Sequence, residues 1–372
     1  MELSQIRQEI DRIDAELLRL LCARMDCAQK VAEVKQQTGT PVLNAAREEE
    51  ILQRVAEKAG RYGGAARVVY TDLLSESRGL QYAYLQADTP LRRAITSAPE
   101  APGEIRAAAC LGGAGSYSHE ALLNLCPGAS PVFFSDFGDI FRSVARGETD
   151  AGIVPVENST AGSVSGVYAL LMQYRFSIIA AQTRGVRHCL ANRSGDPRDI
   201  RAVYSKEIAL RQCSQKLEAL GLPLKETAST SEAAAFAAAH PEAAAVCSRA
   251  AAKENGLHIV EHDFQNAEQN RTRFVVFQKA LSISPDAQKI AVSFHIPHRT
   301  GSLNAVLSRF AAAGMNLTKI ESRPTEEPGF QYEFYLDFTG NVHTPAVLEL
   351  LCALDEELPR FAFLGNYRET QA

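Results

Sequence analysis

The sequence predicts a multidomain protein in which an all-α helical segment (residues 1–88) precedes a two-lobed α/β segment (105–280) and a smaller α+β segment (289–368). Three observations carry this prediction. Residues 3–37 lack Pro and Gly and place apolar side chains at helical spacing, residues 105–280 alternate short apolar runs with helical stretches, and the tail has a βαββαβ pattern. At roughly 150 residues per domain, 372 residues allow two or three domains. The three unlike patterns favour three.

Composition and charge exclude several classes of protein. Lys and Arg number 39 against 44 Asp and Glu, which gives a net charge of −5, without the basic excess typical of nucleic-acid binding. No apolar run approaches the roughly 20 residues that span a membrane, and the charges of Glu2, Arg7 and Glu9 argue against a signal peptide. Eight cysteines form no CxxC pair and eight histidines no HExxH motif. We therefore expect reduced thiols in a cytoplasmic protein without metal or cofactor.

The first helix predicts self-association. Its apolar stripe advances in steps of three and four residues: Ile6, Ile10, Ile13, Leu17, Leu20, Cys27, Val31 and Val34. A helix of about 35 residues would be about 52 Å long, whereas a globule of roughly 85 residues is only about 30 Å across. Pairing with a second copy would cover the stripe. Two more helices are predicted at 44–59 and 65–86 with Gly63-Gly64 as the turn, and 87–104, which holds three prolines, is predicted as a linker.

Polar side chains occupy positions of these helices that should be buried: Arg24, Lys35, Arg47, Glu48, Ser77 and Gln81. Lys35 follows Arg24 by eleven residues, within about 20° of the same helix face. Arg7 is about 100° away around the helix and would have to reach this site from the partner chain. One inward Arg usually indicates a structural ion pair. Several cations with these polar groups favour a pocket for a small dianion, because Arg pairs bidentately with carboxylates.

These residues resemble the all-helical chorismate mutase family. The resemblance implies an intertwined dimer that rearranges chorismate to prephenate by a Claisen reaction. It implies that Arg7, Arg24 and Arg47 bind carboxylates and polar groups, that Lys35 and Gln81 contact the ether oxygen, that Glu48 binds the ring hydroxyl and that Ser77 binds a carboxylate. Asn44 stands where the family often has Asp, which keeps an acceptor but loses the charge. Substrate positioning and charge stabilisation would supply the rate without acid, base or cofactor.

The middle segment is predicted to form a largely parallel sheet. Its strands are predicted at 106–111, 131–134, 151–156, 176–180, 201–204, 244–247 and 274–277. The Gly-rich loop 111–118 lies between a strand and a helix, and is either an anion cradle or a tight turn. The polar run 157–160 directly follows a buried strand. It is either a site at the carboxyl edge of the sheet or an ordinary N-cap cluster.

Thr272-Arg273-Phe274, with Gly115-Ser116-Tyr117-Ser118 and Pro155-Val156-Glu157-Asn158-Ser159, resembles the prephenate dehydratase family. The resemblance implies two α/β lobes, similar to periplasmic binding proteins, with a cleft in which prephenate loses CO2 and its hydroxyl to give phenylpyruvate. It implies that Thr272 donates to that hydroxyl. Residues implied to bind or position substrate are Ser116, Asn158, Ser159, Thr160, Ser205, Gln212, Arg273 and Phe274. Arg273 would either bind a carboxylate or brace the loop, and Lys206 replaces the common His.

After a short linker (281–288), the tail is predicted as strands 289–296, 316–323, 331–338 and 360–367 with helices 301–313 and 344–356, the ferredoxin-like pattern. It resembles the ACT regulatory domain through Gly301-Ser302-Leu303, Asn316-Leu317 and Glu321-Ser322-Arg323-Pro324. The implied ligand is phenylalanine, bound where two tails meet. The alternative is a domain used only for dimerisation.

The resemblances cover nearly the whole chain in order, and together they predict a bifunctional chorismate mutase/prephenate dehydratase of phenylalanine biosynthesis that phenylalanine inhibits. We expect a homodimer or a dimer of dimers, with no membrane or nucleic-acid partner. Two alternatives stay open. One is an arogenate dehydratase, whose substrate differs by an amino group. The other is a bilobed sensor that binds a small molecule without turnover.

Overall fold

The computed structural model describes residues 2–86, 88–164, 166–267, 269–296, 301–324 and 332–372. The chain divides into two compact units. The first unit comprises residues 1–97, 294–334 and 338–361, and the second comprises 98–293, 335–337 and 362–372. The N-terminal helices and much of the predicted α+β tail therefore fall in the same unit. None of the helices within these ranges is long and apolar enough to cross a membrane.

The N-terminal segment is helical, as predicted. Its helices are α1 (Leu3–Thr38), α2 (Ala45–Lys58), α3 (Gly63–Leu85) and α4 (Pro90–Thr96). The ends of the first three agree with the prediction to within two residues. The predicted linker 87–104 is wrong in one part, because α4 lies inside it. Thr89 caps α4 by accepting from the Arg92 N–H, and Pro90 occupies the first turn, where its missing N–H costs nothing.

Gly63-Gly64 is not the predicted turn. A 3₁₀ helix at Gly60–Tyr62 makes the turn, and Gly63 begins α3. A Cβ atom placed on Gly63 would lie 2.6 Å from the Ala56 carbonyl oxygen of α2, whereas one on Gly64 would meet nothing within 4 Å. Gly63 is therefore required by the close approach of two helix backbones rather than by a turn.

The apolar stripe of α1 lies on the surface of the chain. Its Ile, Leu and Val members are 39–59% exposed: Ile6, Ile10, Ile13, Leu17, Leu20, Val31 and Val34. The described buried residues of α1 are only Ala28 and Ala32. A continuous exposed apolar face of this length is typical of an interaction surface.

The α/β segment has two lobes, as predicted. The second lobe has its own sheet and core, whereas the sheet of the first lobe continues into the tail and its core includes tail residues such as Tyr335 and Tyr367. Its strands are β1 (Ala107–Leu111), β2 (Ser130–Phe134), β3 (Ala151–Asn158), β4 (Gly162–Ser163), β5 (Ser177–Gly185), β6 (His188–Asn192), β7 (Ala202–Ser205), β8 (Leu224–Glu226), β9 (Ala243–Ser248), β10 (His258–Glu261) and β11 (Arg271–Gln278). Its helices are α5 (Tyr117–Leu125), α6 (Phe137–Arg146), α7 (Val167–Tyr174), α8 (Glu207–Gln212), α9 (Ser214–Leu220), α10 (Thr230–Ala239) and α11 (Arg249–Glu254).

Both sheets are mixed, so the prediction of a largely parallel sheet is wrong. The first lobe runs β5-β11-β3-β1-β2, and the second runs β10-β6-β9-β7-β8. β11 returns from the second lobe and pairs antiparallel with both β3 and β5, while β1 pairs parallel with β2 and β3. Strands buried on both faces read as apolar runs in either direction. The sequence pattern therefore could not reveal the direction of β11.

The tail has the predicted βαββαβ order. Its elements are β12 (Lys289–Ile296), α12 (Ser302–Ala312), β13 (Leu317–Pro324), β14 (Tyr332–Thr339), α13 (Pro345–Glu357) and β15 (Ala362–Gln371). β13 is the edge strand of the described order β13-β14-β12-β15. β15 extends four residues beyond the predicted end, and Arg368–Gln371 pair parallel with Ala180–Thr183 of β5.

We predict that Gly63→Ala destabilises the helical segment by about 1–3 kcal/mol, because its methyl group would overlap the Ala56 carbonyl and force α2 and α3 apart. Gly64→Ala is the matched control. It should be neutral or stabilise by up to about 1 kcal/mol, since it adds a helix-favouring residue in open space. Urea unfolding followed by far-ultraviolet circular dichroism compares them. Equal midpoints would contradict the close-packing explanation.

Candidate active sites

In the helical segment, the structure brings together the polar side chains predicted on the inner faces. Arg24, Lys35 and Glu48 are half-buried, and Ser77 and Gln81 are buried. The Arg24 guanidinium lies 3.5 Å from the Leu73 carbonyl oxygen, and Lys35 donates to the Val42 carbonyl oxygen. Burial lowers the pKa of Lys35, the Glu48 carboxylate opposes that effect and the Arg78 guanidinium adds to it. These groups therefore lie within electrostatic reach of one another.

Gln81 has a polar atom that this chain leaves unpaired. Its Nε2 donates to the Ser77 carbonyl oxygen at 3.1 Å, while its buried Oε1 has no hydrogen-bond partner among the described residues. An unpaired buried amide oxygen is costly unless a ligand or water completes it. A hydrogen-bond donor of a ligand or a water molecule beside Gln81 would pair this oxygen.

Three residues of the predicted set lie outside this cluster in the single chain. Arg7 is exposed on α1, as expected if it serves a partner chain. Arg47 is exposed and pairs with Glu50 at 2.6 Å, so its predicted contact with a ligand has no support in this geometry. Asn44 caps α2 by accepting from the Arg47 N–H at 3.0 Å. Asn caps as well as Asp, so the missing charge does not affect that role.

Arg78 is a member of this cluster that the sequence did not indicate. Its Nη1 lies 2.6 Å from both oxygens of Glu48, and its Nε lies 3.0 Å from Glu357. The partner Glu357 is 279 residues further along the chain. No local pattern in α3 could therefore reveal the pairing.

In the α/β segment, a cavity of about 270 Å³ lies between the two lobes. Five residues of the predicted set line it: Ser116, Asn158, Gln212, Thr272 and Phe274. Residues not predicted as site residues also line it, including Tyr117, His188, Lys206, Ser229 and Thr230. Lys206 is the only charged side chain among the lining residues that the structure describes.

Thr272 lines the cavity and is held there by a hydrogen bond to its side-chain oxygen. It lies opposite Asn158 across the β11–β3 pair, and its Oγ1 accepts from the Asn158 Nδ2 at 2.8 Å. Asn158 is itself fixed, because its Oδ1 accepts from the Thr160 N–H, the Thr160 hydroxyl and the Ala161 N–H. The described residues offer no acceptor for the Thr272 hydroxyl hydrogen. This hydrogen can therefore be donated to a bound ligand.

A chain of hydrogen bonds joins the lobes at one side of the cavity. Gln212, at the end of α8, donates to the Thr160 hydroxyl at 3.1 Å, and its Oε1 lies 3.0 Å from the His188 Nε2. The His188 Nδ1 lies 3.0 Å from the Tyr117 hydroxyl. Burial lowers the pKa of His188, and the hydrogen bond to Gln212 opposes it. The imidazole is therefore neutral near pH 7, positioned as a hydrogen-bonding group.

The Gly-rich loop is a tight inter-lobe contact rather than an anion cradle. The Gly113 N–H donates to the Ser231 hydroxyl and the Gly115 carbonyl accepts from Ser248, both from the second lobe. The N–H groups of residues 112, 115 and 116 are also used within the first lobe. Gly115 has φ +74°, and a Cβ atom there would lie 2.4 Å from the Ala251 backbone. The tight-turn alternative is therefore the one the structure supports.

Arg273 does not line the cavity, so the alternative in which it binds a substrate carboxylate there has no support in this geometry. Successive side chains of a strand face opposite sides, so Thr272 and Phe274 line the cavity while Arg273 does not. Its guanidinium lies 2.6 Å from Asp337, 2.6 Å from Glu369 and 2.9 Å from the Tyr367 hydroxyl. The bracing alternative is the one that this geometry supports.

Ser205, Ser159 and Thr160 also do not line the cavity. Ser205 is fully buried and donates to the Val246 carbonyl oxygen, which ties β7 to β9. Ser159 donates to the Gln269 carbonyl oxygen and accepts from the Arg271 N–H, so it fixes the approach to β11. The expected contacts of these residues with substrate have no support in this geometry. Thr160 instead forms hydrogen bonds with Asn158 and Gln212.

The tail motifs lie on α12 and β13. Gly301 precedes α12 with φ +85°, and Ser302 and Leu303 begin that helix. Along β13, Leu317, Glu321 and Arg323 face the half-buried side, whereas Ser322 and Pro324 face outward. Arg323 lies 3.6 Å from Glu321, and the Asn316 carbonyl accepts from the Thr339 N–H. The adjoining residues 297–300 and 325–331 lie outside the described ranges.

Three family models match successive parts of the chain. Chorismate mutase type II matches residues 6–82, prephenate dehydratase matches 108–281 and the ACT domain matches 290–356. The matches follow the same order as the helical segment, the two lobes and the βαββαβ tail. The resemblances found in the sequence motifs are thereby confirmed for all three segments.

Curated relatives and a solved structure agree with these matches. The bifunctional chorismate mutase/prephenate dehydratase of Aquifex aeolicus is 30% identical over 98% of this chain and 98% of its own length. An arogenate dehydratase/prephenate dehydratase of Arabidopsis thaliana is 34% identical over 68% of this chain and 70% of its own. The crystal structure of prephenate dehydratase from Arthrobacter aurescens in complex with L-Phe is 28% identical, with a TM-score of 0.65 over 70% of this chain and 89% of that one. The chain therefore belongs to the bifunctional chorismate mutase/prephenate dehydratase family.

Proposed function

We propose that the helical segment converts chorismate to prephenate, that the cavity between the lobes converts prephenate to phenylpyruvate, and that phenylalanine bound to the ACT segment inhibits the protein. One observation carries the dehydratase assignment. Thr272 lines the cavity and accepts from Asn158, and its own hydroxyl hydrogen has no acceptor among the described residues. This is the donor that a departing ring hydroxyl needs.

In the dehydratase reaction, the ring carboxylate leaves as CO2 and its electron pair aromatises the ring as the hydroxyl departs. Thr272 hydrogen-bonds to that hydroxyl, which takes up one proton from solvent water and leaves as water. A threonine hydroxyl is a weak acid, so it acts as a positioned donor while aromatisation drives the step. Lys206 pairs with a substrate carboxylate. Asn158 positions Thr272, and Gln212 with neutral His188 holds the wall opposite.

In the mutase reaction, the enclosed polar cluster binds a dianion and folds its two ends together. Arg24 binds a carboxylate, Lys35 stabilises negative charge on the ether oxygen, and Glu48 accepts from the ring hydroxyl. The Gln81 Oε1, which has no partner among the described residues, is free to accept from a donor of the bound ligand. No proton transfer is needed, because positioning and charge stabilisation lower the barrier.

Self-association completes the mutase site in this proposal. Arg7 lies on the exposed side of α1, beside an apolar stripe that the described residues leave exposed. A second copy packed along α1 would bury that stripe and bring its own Arg7 to the neighbouring cluster. The exposed stripe therefore supports at least a homodimer.

Arogenate is the second candidate substrate, because the Arabidopsis relative is named for both activities. Arogenate carries an ammonium group where prephenate carries a keto oxygen. The lining residues described for the cavity include one cation, Lys206, and no Asp or Glu to receive an ammonium group. This distribution of charge favours prephenate.

Phenylalanine is the proposed inhibitor because the ACT segment matches its family and the Arthrobacter relative is a complex with L-Phe. The motif Glu321-Ser322-Arg323-Pro324 lies on β13, the edge strand of the described order. An edge strand can pair with a second tail. That geometry supports a ligand site where two tails meet.

A coupled assay tests the function: purified protein should convert chorismate to phenylpyruvate, and added phenylalanine should slow prephenate turnover. Thr272→Ala should lower the dehydratase kcat by about 100-fold or more, the size expected for losing a positioned donor. Mutase turnover should stay unchanged. If prephenate binds to the wild-type protein but does not react, the result favours the sensor alternative. If arogenate is turned over faster than prephenate, arogenate is the substrate.

We predict that Arg24→Ala lowers mutase kcat/KM by about 100-fold or more, because a half-buried cation facing the dianion is lost. Turnover of added prephenate should stay within about twofold, since Arg24 lies in the other unit. Arg19→Ala, which removes an exposed cation of the same helix, is the matched control. Loss of both activities in Arg24→Ala with the fold intact would contradict separate sites.

We predict that Lys206→Met raises the KM for prephenate by about tenfold or more, because the described cavity wall loses its one cation while keeping a side chain of similar length. The kcat should change less, since Lys206 binds substrate without donating to the departing hydroxyl. Lys225→Met, on exposed β8 of the same lobe, serves as the control. An unchanged KM would place the substrate carboxylates elsewhere.

A further inference from the structure

Four charged side chains of alternating sign form a continuous row in the first unit. Glu48 of α2 pairs with Arg78 of α3, Arg78 also pairs with Glu357 of α13, and Glu357 pairs with Arg309 of α12. The row carries two positive and two negative charges, so it is neutral as a whole. Its ion-pair distances are 2.6, 3.0 and 2.9 Å.

The row is mostly removed from water. The side chains of Glu357 and Arg309 are 6% and 7% exposed, Arg78 is 12% exposed and Glu48 is 22% exposed. Interactions between charges strengthen as water is excluded, and removing one member leaves its partners unpaired. Removing the charge of Glu357 should therefore change the position of the Arg78 guanidinium, and through it the position of the Glu48 carboxylate.

Arg78 fixes the orientation of Glu48. One guanidinium nitrogen, Nη1, is 2.6 Å from both Glu48 oxygens, whereas Nε is turned toward Glu357. Glu357 thus holds the guanidinium in the orientation that presents only Nη1 to Glu48. Without Glu357, the guanidinium would be free to turn and offer Glu48 a two-nitrogen fork, the geometry that carboxylates prefer. The carboxylate would then be less available to a ring hydroxyl.

We propose that Arg78 is a positioning residue of the mutase reaction and that Glu357, at the end of the ACT segment, sets its orientation. The proposal rests on the proposed role of Glu48 in binding the ring hydroxyl. Glu357 lies outside residues 6–82, which match the mutase family, and just beyond residues 290–356, which match the ACT domain. A residue far from the mutase segment in sequence therefore affects how well Glu48 binds the ring hydroxyl.

Glu357→Gln in the full chain tests the proposal, because it removes the charge and keeps the shape. We expect the mutase KM for chorismate to rise about fivefold with little change in kcat, while turnover of added prephenate stays unchanged. Arg78→Met should give a loss at least as large. Glu349→Gln is the control, since it breaks the Arg92–Glu349 pair on the same helix without touching the row, and it should leave mutase activity unchanged.

A double-mutant cycle separates positioning from a general structural effect. In a Glu48→Gln background, Glu357→Gln should have no further effect on the mutase KM, because the two residues act through the same contact. An unchanged KM in Glu357→Gln, an equal loss in the Glu48→Gln background, or the same loss in Glu349→Gln would each overturn the proposal.

Failure of the proposed mutase activity can be distinguished from failure of the positioning role. A wild-type chain that binds chorismate without converting it would disprove the mutase activity, and the row would then be tested by the chorismate Kd from titration calorimetry. An equal Kd for the wild-type chain and Glu357→Gln would overturn the positioning role. A wild-type chain that does not bind chorismate at all would overturn both.

Discussion

The buried guanidinium of Arg273 is the constraint on which the α/β segment depends. A cation removed from water must be paired, and Arg273 meets this need with Asp337 of β14 and Glu369 of β15. The same residue lies on β11, whose neighbouring residue Thr272 faces the cavity. Because adjacent side chains of a strand face opposite sides, anchoring Arg273 also fixes where Thr272 points. The strand β11 therefore contacts the tail strands through Arg273 and lines the cavity through Thr272.

The helical segment meets the same requirement through Arg78. Its guanidinium is shared between Glu48, inside the polar cluster, and Glu357 of the tail. In both segments, an Arg on an element of the proposed site pairs with at least one carboxylate from the last part of the chain. The Gln81 amide oxygen, which has no hydrogen-bond partner among the described residues, lies in the cluster where a ligand is proposed. Paired charges thus hold the elements that carry both proposed sites.

Much of the candidate sites could be predicted from the sequence. The motif around Thr272, together with Asn158 and Gln212, identified residues that line one cavity, and the polar positions of the helical stripes identified Arg24, Lys35 and Glu48. The misses have a common cause. His188 is a single histidine in a short strand, and its role depends on contacts with Tyr117 and Gln212. The two alternatives for Arg273, binding a carboxylate or bracing the loop, stayed open because a motif carries no information about which way each side chain faces.

The sequence by itself determined the type and approximate bounds of most helices and strands, because apolar spacing and capping residues act over a few neighbouring positions. Only the tertiary structure decided the antiparallel placement of β11, the inter-lobe contact of Gly115 and the partners of Arg78 and Arg273. Each of these depends on which distant backbone or charge a residue meets. The strand preference of the β11 residues is nearly the same whether the strand runs parallel or antiparallel to its neighbours. The helix preference of Arg78 is likewise the same whether its guanidinium contacts Glu357 or water. The difference arises from long-range packing and from the need to pair every buried charge.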